Sequence, residues 1–110
     1  MKLPNSDEAV IAPAKLKDYI LAELHPEGGP KARFFRSFGF DESNLDILEQ
    51  GLLAIVQAEE VRSFKTSPHG TKYVIRGQLQ TPVGRTICVD TVWIIDTKQR
   101  QPRFVTAYPA

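Results

Sequence analysis

Residues 71–79 read TKYVIRGQL, and residues 85–95, which follow a turn at 81–84, read RTICVDTVWII. The first stretch alternates apolar and polar residues, which is typical of a strand with one buried face. The second is apolar on both sides, as expected for a strand at the centre of a sheet. A turn between two such stretches predicts neighbouring antiparallel strands.

Weaker strand patterns lie on either side of this pair. We expect one strand over residues 61–64, a turn at residues 67–70, and a last strand over residues 103–108. Strict alternation in the last strand predicts that Phe104, Thr106 and Tyr108 share one side, opposite to Arg103, Val105 and Ala107. The four strands together predict an antiparallel meander.

The first half of the chain has helical periodicity instead. Pro13 suits the first turn of a helix that runs to about Leu24, and Pro30 suits the start of a second helix over residues 31–38. Gly39 is the expected C-cap of the second helix. A third helix is expected from residue 41 to about residue 56, and residues 9–11 are expected to form a short strand.

These elements predict an α+β fold in a single domain, residues 1–110, with a helical half over about 1–58 and a sheet half over about 60–109. Three N-terminal helices would pack on one face of a four-stranded antiparallel sheet. The other face would then be a partner surface, a working cleft or a solvated surface.

Composition restricts the class of protein. The chain has 110 residues, of which 42% are hydrophobic and 25% charged, the balance of one globular domain. Its single cysteine, Cys88, excludes an internal disulfide, and His25 and His69 lack the spacing of metal ligands. We expect no metal and no cofactor. The polar N-terminus and the absence of a long apolar run predict a cytoplasmic protein that does not bind membranes.

Charge is distributed unevenly along the chain. Residues 1–60 hold six Lys and Arg against eleven Asp and Glu, a net charge of −5, whereas residues 61–110 hold eight against two, a net charge of +6. A local excess of cations favours an anionic partner such as nucleic acid. The alternative is that the two halves neutralise each other where they meet.

The loop 25–31 combines a titratable side chain, flexible backbone and a cation. His25 opens it and Lys31 closes it, with two prolines and two glycines between them. A histidine titrates near neutral pH, with an ordinary pKa of about 6.5, and a lysine at the start of a helix can hold an anion. A loop of this composition is also frequently a plain connection between helices.

The expected free face of the sheet carries cations and hydroxyls. Lys72, Arg76 or Arg85 beside Thr106 and Tyr108 could bind a phosphodiester, with the loop 25–31 packed at the sheet edge. Ordinary β-propensity is the competing explanation for the two hydroxyl-bearing residues.

Several short motifs occur together over nearly the whole chain. They are Lys2-Leu3-Pro4-Asn5, His25-Pro26, Lys31-Ala32-Arg33-Phe34-Phe35, Gly70-Thr71-Lys72-Tyr73-Val74, Gly84-Arg85, Thr91-Val92-Trp93-Ile94 and Arg103-Phe104-Val105-Thr106-Ala107-Tyr108-Pro109. In this combination the sequence resembles a bacterial family of uncharacterised function, found as free-standing small proteins and as C-terminal domains of polymorphic, contact-dependent toxins. Toxin domains with a similar last strand are grouped with the barnase, EndoU, colicin and RelE-like ribonucleases, whose architecture places N-terminal helices against a four-stranded antiparallel sheet.

The resemblance implies a metal-independent endoribonuclease toxin, in which the ribose 2′-hydroxyl attacks the adjacent phosphorus. His25 would act as general base or acid, Lys31 would stabilise the charge on the phosphorane, and Thr106 and Tyr108 would bind or protonate the substrate. The positions that would hold phosphate or support the site are Arg85, Thr91 and Arg103, together with Lys72 and Arg76 on the sheet.

The implied partners are an RNA substrate, with transfer RNA among the candidates, and a small cognate antitoxin or immunity protein. Two other interpretations remain open from the sequence. The chain could be a non-catalytic interaction module that binds an acidic protein or RNA through its basic sheet face. It could also be the neutralising partner itself, although a basic sheet is more natural in the member that faces RNA.

Overall fold

Four strands form one antiparallel sheet in the computed structural model, which describes residues 1–17 and 29–110. They are β1 (Ser63–Ser67), β2 (Gly70–Gln80), β3 (Thr86–Asp96) and β4 (Arg103–Pro109). Spatial order equals chain order, β1-β2-β3-β4, and every neighbouring pair is antiparallel. The predicted α+β class and four-stranded antiparallel meander are therefore confirmed.

The two faces of the sheet differ in burial, as the alternation in β2 predicts. Ile75 and Leu79 point to the buried side, where they meet Val89 and Trp93 of β3. The intervening residues of β2, such as Lys72 and Arg76, point to the opposite side. We call that opposite side the outer face.

Helices precede the sheet, and they agree only in part with the three N-terminal helices that the sequence predicts. The described helices are a 3₁₀ turn over Ser6–Glu8, a single α-helical turn, α1 (Pro13–Lys15), then α2 (Gly29–Ser37) and α3 (Leu45–Ala58), the last preceded by a second 3₁₀ turn over Glu42–Asn44. Most of the first predicted helix, to Leu24, lies outside the described residues. The second begins two residues before Lys31, with Pro30 in its first turn as expected.

Local sequence signals explain the ends of these helices. Gly39 has φ 95°, and the backbone N–H groups of Gly39 and Phe40 donate to the carbonyls of Arg36 and Phe35. This is the pattern of a glycine cap at the end of a helix, so the Gly39 prediction is confirmed. Asp41 accepts a hydrogen bond from the backbone N–H of Ser43, while Asn44 accepts one from the N–H of Asp41. Reciprocal bonds of this kind fix the start of the next helical segment.

α3 lies against β2 on the buried side, where two glycines allow the backbones to approach. A Cβ atom on Gly77 would lie 2.6 Å from Ile55 Cγ2, and one on Gly51 would lie 2.5 Å from Leu79 Cδ1. Leu48, Leu52, Ile55 and Val56 of α3 are all buried. The helix thereby covers the side of the sheet opposite to the outer face.

A β-bulge changes the expected orientation of the last strand. Trp93 pairs with Phe104, but Val92 pairs with Thr106, so Val105 has no partner of its own. The extra residue reverses the alternation. Phe104 therefore lies in the core with Ala107, while Thr106 and Tyr108 lie on the outer face. The prediction that Phe104 shares a side with Thr106 and Tyr108 is wrong for this reason.

The N-terminal segment reaches the free edge of β4. The backbone N–H of Val10 donates to Pro102 at 3.0 Å, and the N–H of Phe104 donates to Val10 at 2.9 Å. Val10 forms only an isolated bridge with Arg103, so the short strand expected over residues 9–11 is reduced to that bridge. Among the described residues, none of the helices has the length and apolar character needed to cross a membrane.

Candidate functional site

Lys31, Thr106 and Tyr108 meet at the edge of the outer face. Lys31 Nζ donates a hydrogen bond of 3.0 Å to Thr106 Oγ1, and the same nitrogen lies 6.0 Å from the centroid of the Tyr108 ring. Both distances are within the range of direct interaction for an ammonium with a hydroxyl and with an aromatic ring. Three of the four residues expected to be catalytic are therefore brought together.

The position of Lys31 follows from the packing of α2. Gly29, Ala32 and Phe35 are the buried residues of this helix, and α2 contacts β4, the edge strand that carries Thr106. Phe35 packs edge-on against Phe34 and Phe40. With these residues fixed in the core, Lys31 in the first turn extends to the outer face.

A bidentate ion pair lies beside this cluster. Arg76 Nε and Nη2 donate to Asp90 Oδ1 and Oδ2 at 2.9 and 3.1 Å, and the hydrogen bond to Asp90 raises the pKa of Arg76. Arg76, Asp90 and Tyr108 are cross-strand neighbours in one row of the sheet. The pair holds the guanidinium of Arg76 in a fixed orientation in the same row as Tyr108.

An open groove of about 530 Å³ continues along the outer face toward the turn between β1 and β2. Its cations are Lys65, Lys72 and Arg103, and Ile94 and Val105 form its apolar lining. Ser67, His69 and Asp96 line it as well.

Arg103 is fixed within this groove by a second bidentate pair. Its Nε and Nη2 donate to Asp96 Oδ2 and Oδ1 at 2.7 and 3.1 Å. The hydrogen bond from Arg103 lowers the pKa of Asp96 below its ordinary value, and that from Asp96 raises the pKa of Arg103. The two lysines differ from Arg103, because within residues 1–17 and 29–110 neither Lys65 nor Lys72 forms an ion pair.

Two other expected site residues lie away from the cluster. Thr91 is fully buried, donates to the carbonyl of Ile75 at 2.8 Å and accepts from Trp93 Nε1 at 2.9 Å. Its hydroxyl thus lies inside the core and faces away from Thr106. Arg85 is exposed in the turn between β2 and β3, at the end of the sheet opposite to the groove, where its carbonyl accepts from Thr81. Within the described residues, neither side chain forms a hydrogen bond with Thr106 or Tyr108.

His25, the fourth residue of the expected catalytic set, lies outside the described residues. In the sequence, His25 precedes Lys31 by six positions. In the part of the chain that is described, no group of three or more His, Cys, Asp or Glu side chains could hold a metal ion.

Sequence reasoning missed Lys65, Ser67 and His69 as lining residues of the groove. The signal was present in the turn 67–70, because a two-residue connection between β1 and β2 fixes the register that places Lys65 opposite Lys72. Counting outward from that turn would have identified the pair. Phe64, the neighbour of Lys65, points to the other side and lies against Tyr73.

The fold and the outer-face cluster define an α+β domain with a cationic, hydroxyl-bearing sheet surface. The chain belongs to the family described as Domain of unknown function (DUF6883), whose model matches residues 2–110. This match confirms the part of the sequence-based resemblance that assigns the chain to a family of uncharacterised function. A search of the curated proteins gives no match.

The fold is shared with a chain of a solved structure titled "Contact-dependent growth inhibition toxin - immunity protein complex from Klebsiella pneumoniae 342". The TM-score is 0.73 at 13% sequence identity, with 92% of this chain and 99% of that chain covered. At this identity the likeness is one of fold.

Proposed function

We propose that this chain is a toxin domain that cleaves RNA without a metal ion, and that a cognate immunity protein neutralises it. The observation that carries the proposal is the hydrogen bond from Lys31 Nζ to Thr106 Oγ1, with the ring of Tyr108 beside the same ammonium. The similar fold of a chain in a toxin–immunity protein complex supports membership of such a pair and a partner protein, and the basic sheet face favours the toxin over the immunity protein.

The cluster has the groups that transesterification of RNA needs around phosphorus. When the 2′-oxygen bonds to phosphorus, negative charge develops on the phosphorane oxygens, and a fixed ammonium and a hydroxyl donor stabilise that charge. Lys31 and Thr106 supply these two groups, and Arg76 is a second fixed cation in the row of Tyr108.

Proton transfer requires a base and an acid in addition. We assign the base to His25, which removes the proton from the 2′-hydroxyl as the new O–P bond forms. The bond from phosphorus to the 5′-oxygen then breaks, and that oxygen takes a proton from an acid on the other side, for which Tyr108 is the candidate. The products are a 2′,3′-cyclic phosphate and a 5′-hydroxyl end.

The test is cleavage of RNA by the purified chain in the presence of EDTA, with the new ends analysed for cyclic phosphate. We expect cleavage by the wild type, a loss of about 10²- to 10⁴-fold for His25→Ala, and a loss on the order of 10²-fold for Lys31→Met and for Thr106→Val. Arg62→Gln is the matched control, since Arg62 is an exposed arginine that precedes β1 and does not line the groove.

Normal cleavage by His25→Ala would contradict the assignment of the base. Equal cleavage by wild type, Lys31→Met and Thr106→Val would show that the cluster is not the reacting site. Absence of any cleavage by the wild type would contradict the enzymatic proposal as a whole.

The second candidate is a non-catalytic module that binds an acidic protein through the same face. It is favoured by Lys65 and Lys72, which form no ion pair among the described residues and are available to carboxylates of a partner. Induction of the chain alone in bacteria separates the two. An RNase toxin slows growth and leaves cyclic phosphate on RNA, whereas a binding module does neither.

A further inference from the structure

We infer that the basic groove beside Thr106 is a nucleotide-binding subsite, which holds the part of the RNA that adjoins the reacting phosphate. The inference deepens the proposed function and rests on it. It names the substrate as an RNA strand long enough to occupy both the cluster and the groove, and it assigns Lys65 and Lys72, on two different strands, to the same ligand.

The charges of the groove favour an anionic ligand. Lys65 and Lys72 are direct cross-strand partners on the outer face, and like charges in such a pair destabilise a sheet. Elsewhere on this face the arrangement is different, because Arg76 has Asp90 and Arg103 has Asp96. Within the described residues the two lysines form no ion pair, and the carboxylate that lines the same groove, Asp96, is bound by Arg103; an anionic ligand would therefore balance the lysine pair.

The groove also has an apolar lining. Ile94 lies directly between Lys72 and Arg103 in the same row of the sheet, and Val105, the extra residue of the bulge, lies beside Arg103. A free inorganic anion needs no apolar surface. A nucleotide unit has both an anionic phosphate and a base whose flat face is apolar, and it matches cations placed around apolar side chains.

The groove is large and lies next to the cluster of Lys31, Thr106 and Tyr108. A volume of about 530 Å³ is that of a site for an organic ligand rather than for a single ion. The row that contains Lys72, Ile94 and Arg103 is followed by the row of Val92 and Thr106. Successive rows on one face are about 7 Å apart, twice the rise per residue of a strand. A strand of RNA at Thr106 therefore continues directly into the groove.

Binding of an uncleavable oligonucleotide tests this subsite without depending on catalysis. The probe is a fluorescent 2′-O-methyl hexanucleotide, which lacks the nucleophilic hydroxyl, and the comparison probe is the corresponding dinucleotide. For Lys65→Gln/Lys72→Gln we expect the hexanucleotide Kd to rise about tenfold or more, and the dependence of log K on log salt to become less steep by about 1.4, or about 0.7 per lost phosphate contact.

The matched control is Arg33→Gln/Arg62→Gln, which removes two positive charges elsewhere. Arg33 is exposed on α2 and is two positions from Lys31, so the two side chains do not share a helix face. We expect the control to bind the hexanucleotide within about threefold of wild type, and the dinucleotide to bind both double variants nearly alike. Thermal unfolding followed by circular dichroism checks that both double variants are folded.

These experiments distinguish a failure of the nucleotide-binding subsite from a failure of the proposed function. If the wild type cleaves RNA and binds the hexanucleotide, but Lys65→Gln/Lys72→Gln binds it equally well, the subsite is refuted and the proposed function stands. Equal weakening in the Arg33→Gln/Arg62→Gln control refutes the subsite too, since the effect is then one of total charge. If the wild type neither cleaves RNA nor binds the hexanucleotide, both claims fail, and the groove remains a surface for an acidic protein segment.

Discussion

Thr91 and Thr106 lie on adjacent strands, and both match positions of the same sequence resemblance, yet their surroundings are opposite. Thr106 is half-buried on the outer face and accepts a hydrogen bond from Lys31. Thr91 is enclosed between Ile75 and Trp93, where its hydroxyl both donates and accepts. The residue type alone therefore does not distinguish a ligand-binding hydroxyl from one that completes the core.

Replacing Thr91 by valine should destabilise the fold. The valine side chain is similar in shape, but the indole N–H of Trp93 would lose its acceptor inside the core, at a cost of about 1–3 kcal/mol in the free energy of unfolding. Urea denaturation followed by Trp93 fluorescence measures this. Thr86→Val, at the exposed start of β3, is the control and should change the free energy little. An unchanged midpoint for Thr91→Val would contradict the structural role.

At the level of elements, the contact between α3 and β2 depends on Gly77. Its place in the alternation of β2 is that of a core residue, but no side chain fills it, because Ile55 occupies the space. The alternating pattern predicted this face correctly. Only the structure shows that α3 packs so closely that a Cβ atom at position 77 has no room.

Gly77→Ala should therefore lower the free energy of unfolding by about 1–3 kcal/mol, since the new methyl group overlaps Ile55 Cγ2. A double-mutant cycle with Ile55→Ala tests the cause. We expect the double variant to be more stable than the sum of the two single changes predicts, because the smaller side chain makes room. Strict additivity would show that the two residues do not compete for the same space.

The elements that sequence predicted best are those set by local pattern. Alternation identified β2, the continuous apolar run identified β3, and Gly39 identified the end of α2. The faces of β4 were predicted wrongly because a bulge depends on pairing with β3, and a single-strand pattern contains no information on its partner. For the candidate site, the meeting of Lys31 with Thr106 joins residues 75 positions apart. Only the packing of α2 on β4 brings them into contact.

At the scale of the whole molecule, the acidic and basic halves are joined by little ion pairing within residues 1–17 and 29–110. Among the described residues, Arg100 and Glu8 form the ion pair that joins the halves, with 2.7 Å between Nη2 and Oε2. The pairs of Arg76 and Arg103 stay within the basic half, and that of Arg36 within the acidic half. The uneven charge of the sequence therefore persists in the folded molecule.

Three carboxylates should make the stability of the whole fold sensitive to acid. Hydrogen bonds lower the pKa values of Asp41, Glu42 and Asp96, from Ser43, Arg36 and Arg103 respectively. A folded-state pKa below the unfolded one stabilises the fold at pH values above the ordinary carboxylate pKa of about 4, and that contribution is lost as the pH falls through the lowered values. We expect stability to be constant from about pH 7 to 5 on this account and to fall below about pH 4.

Thermal unfolding measured between pH 7 and pH 3 checks this dependence. Asp96→Asn removes one of the three titrating groups, so its loss of stability on acidification should be smaller than that of the wild type. Asp46→Asn, at an exposed position of α3, should keep the wild-type dependence. A wild-type stability that rises on acidification would contradict the sign of all three shifts.

Val105 has a consequence for the comparison of related sequences. Because it has no partner across the sheet, a relative that lacks this one residue would have an uninterrupted β4 in which Phe104 still faces inward and Thr106 outward. In a relative of the same length without the bulge, the side chains at positions 104 and 106 would share one side of the sheet, so one of the two would change faces. In alignments of this family, a relative with a one-residue gap at position 105 can therefore still have the site. An ungapped match at this position does not by itself show that the site is retained.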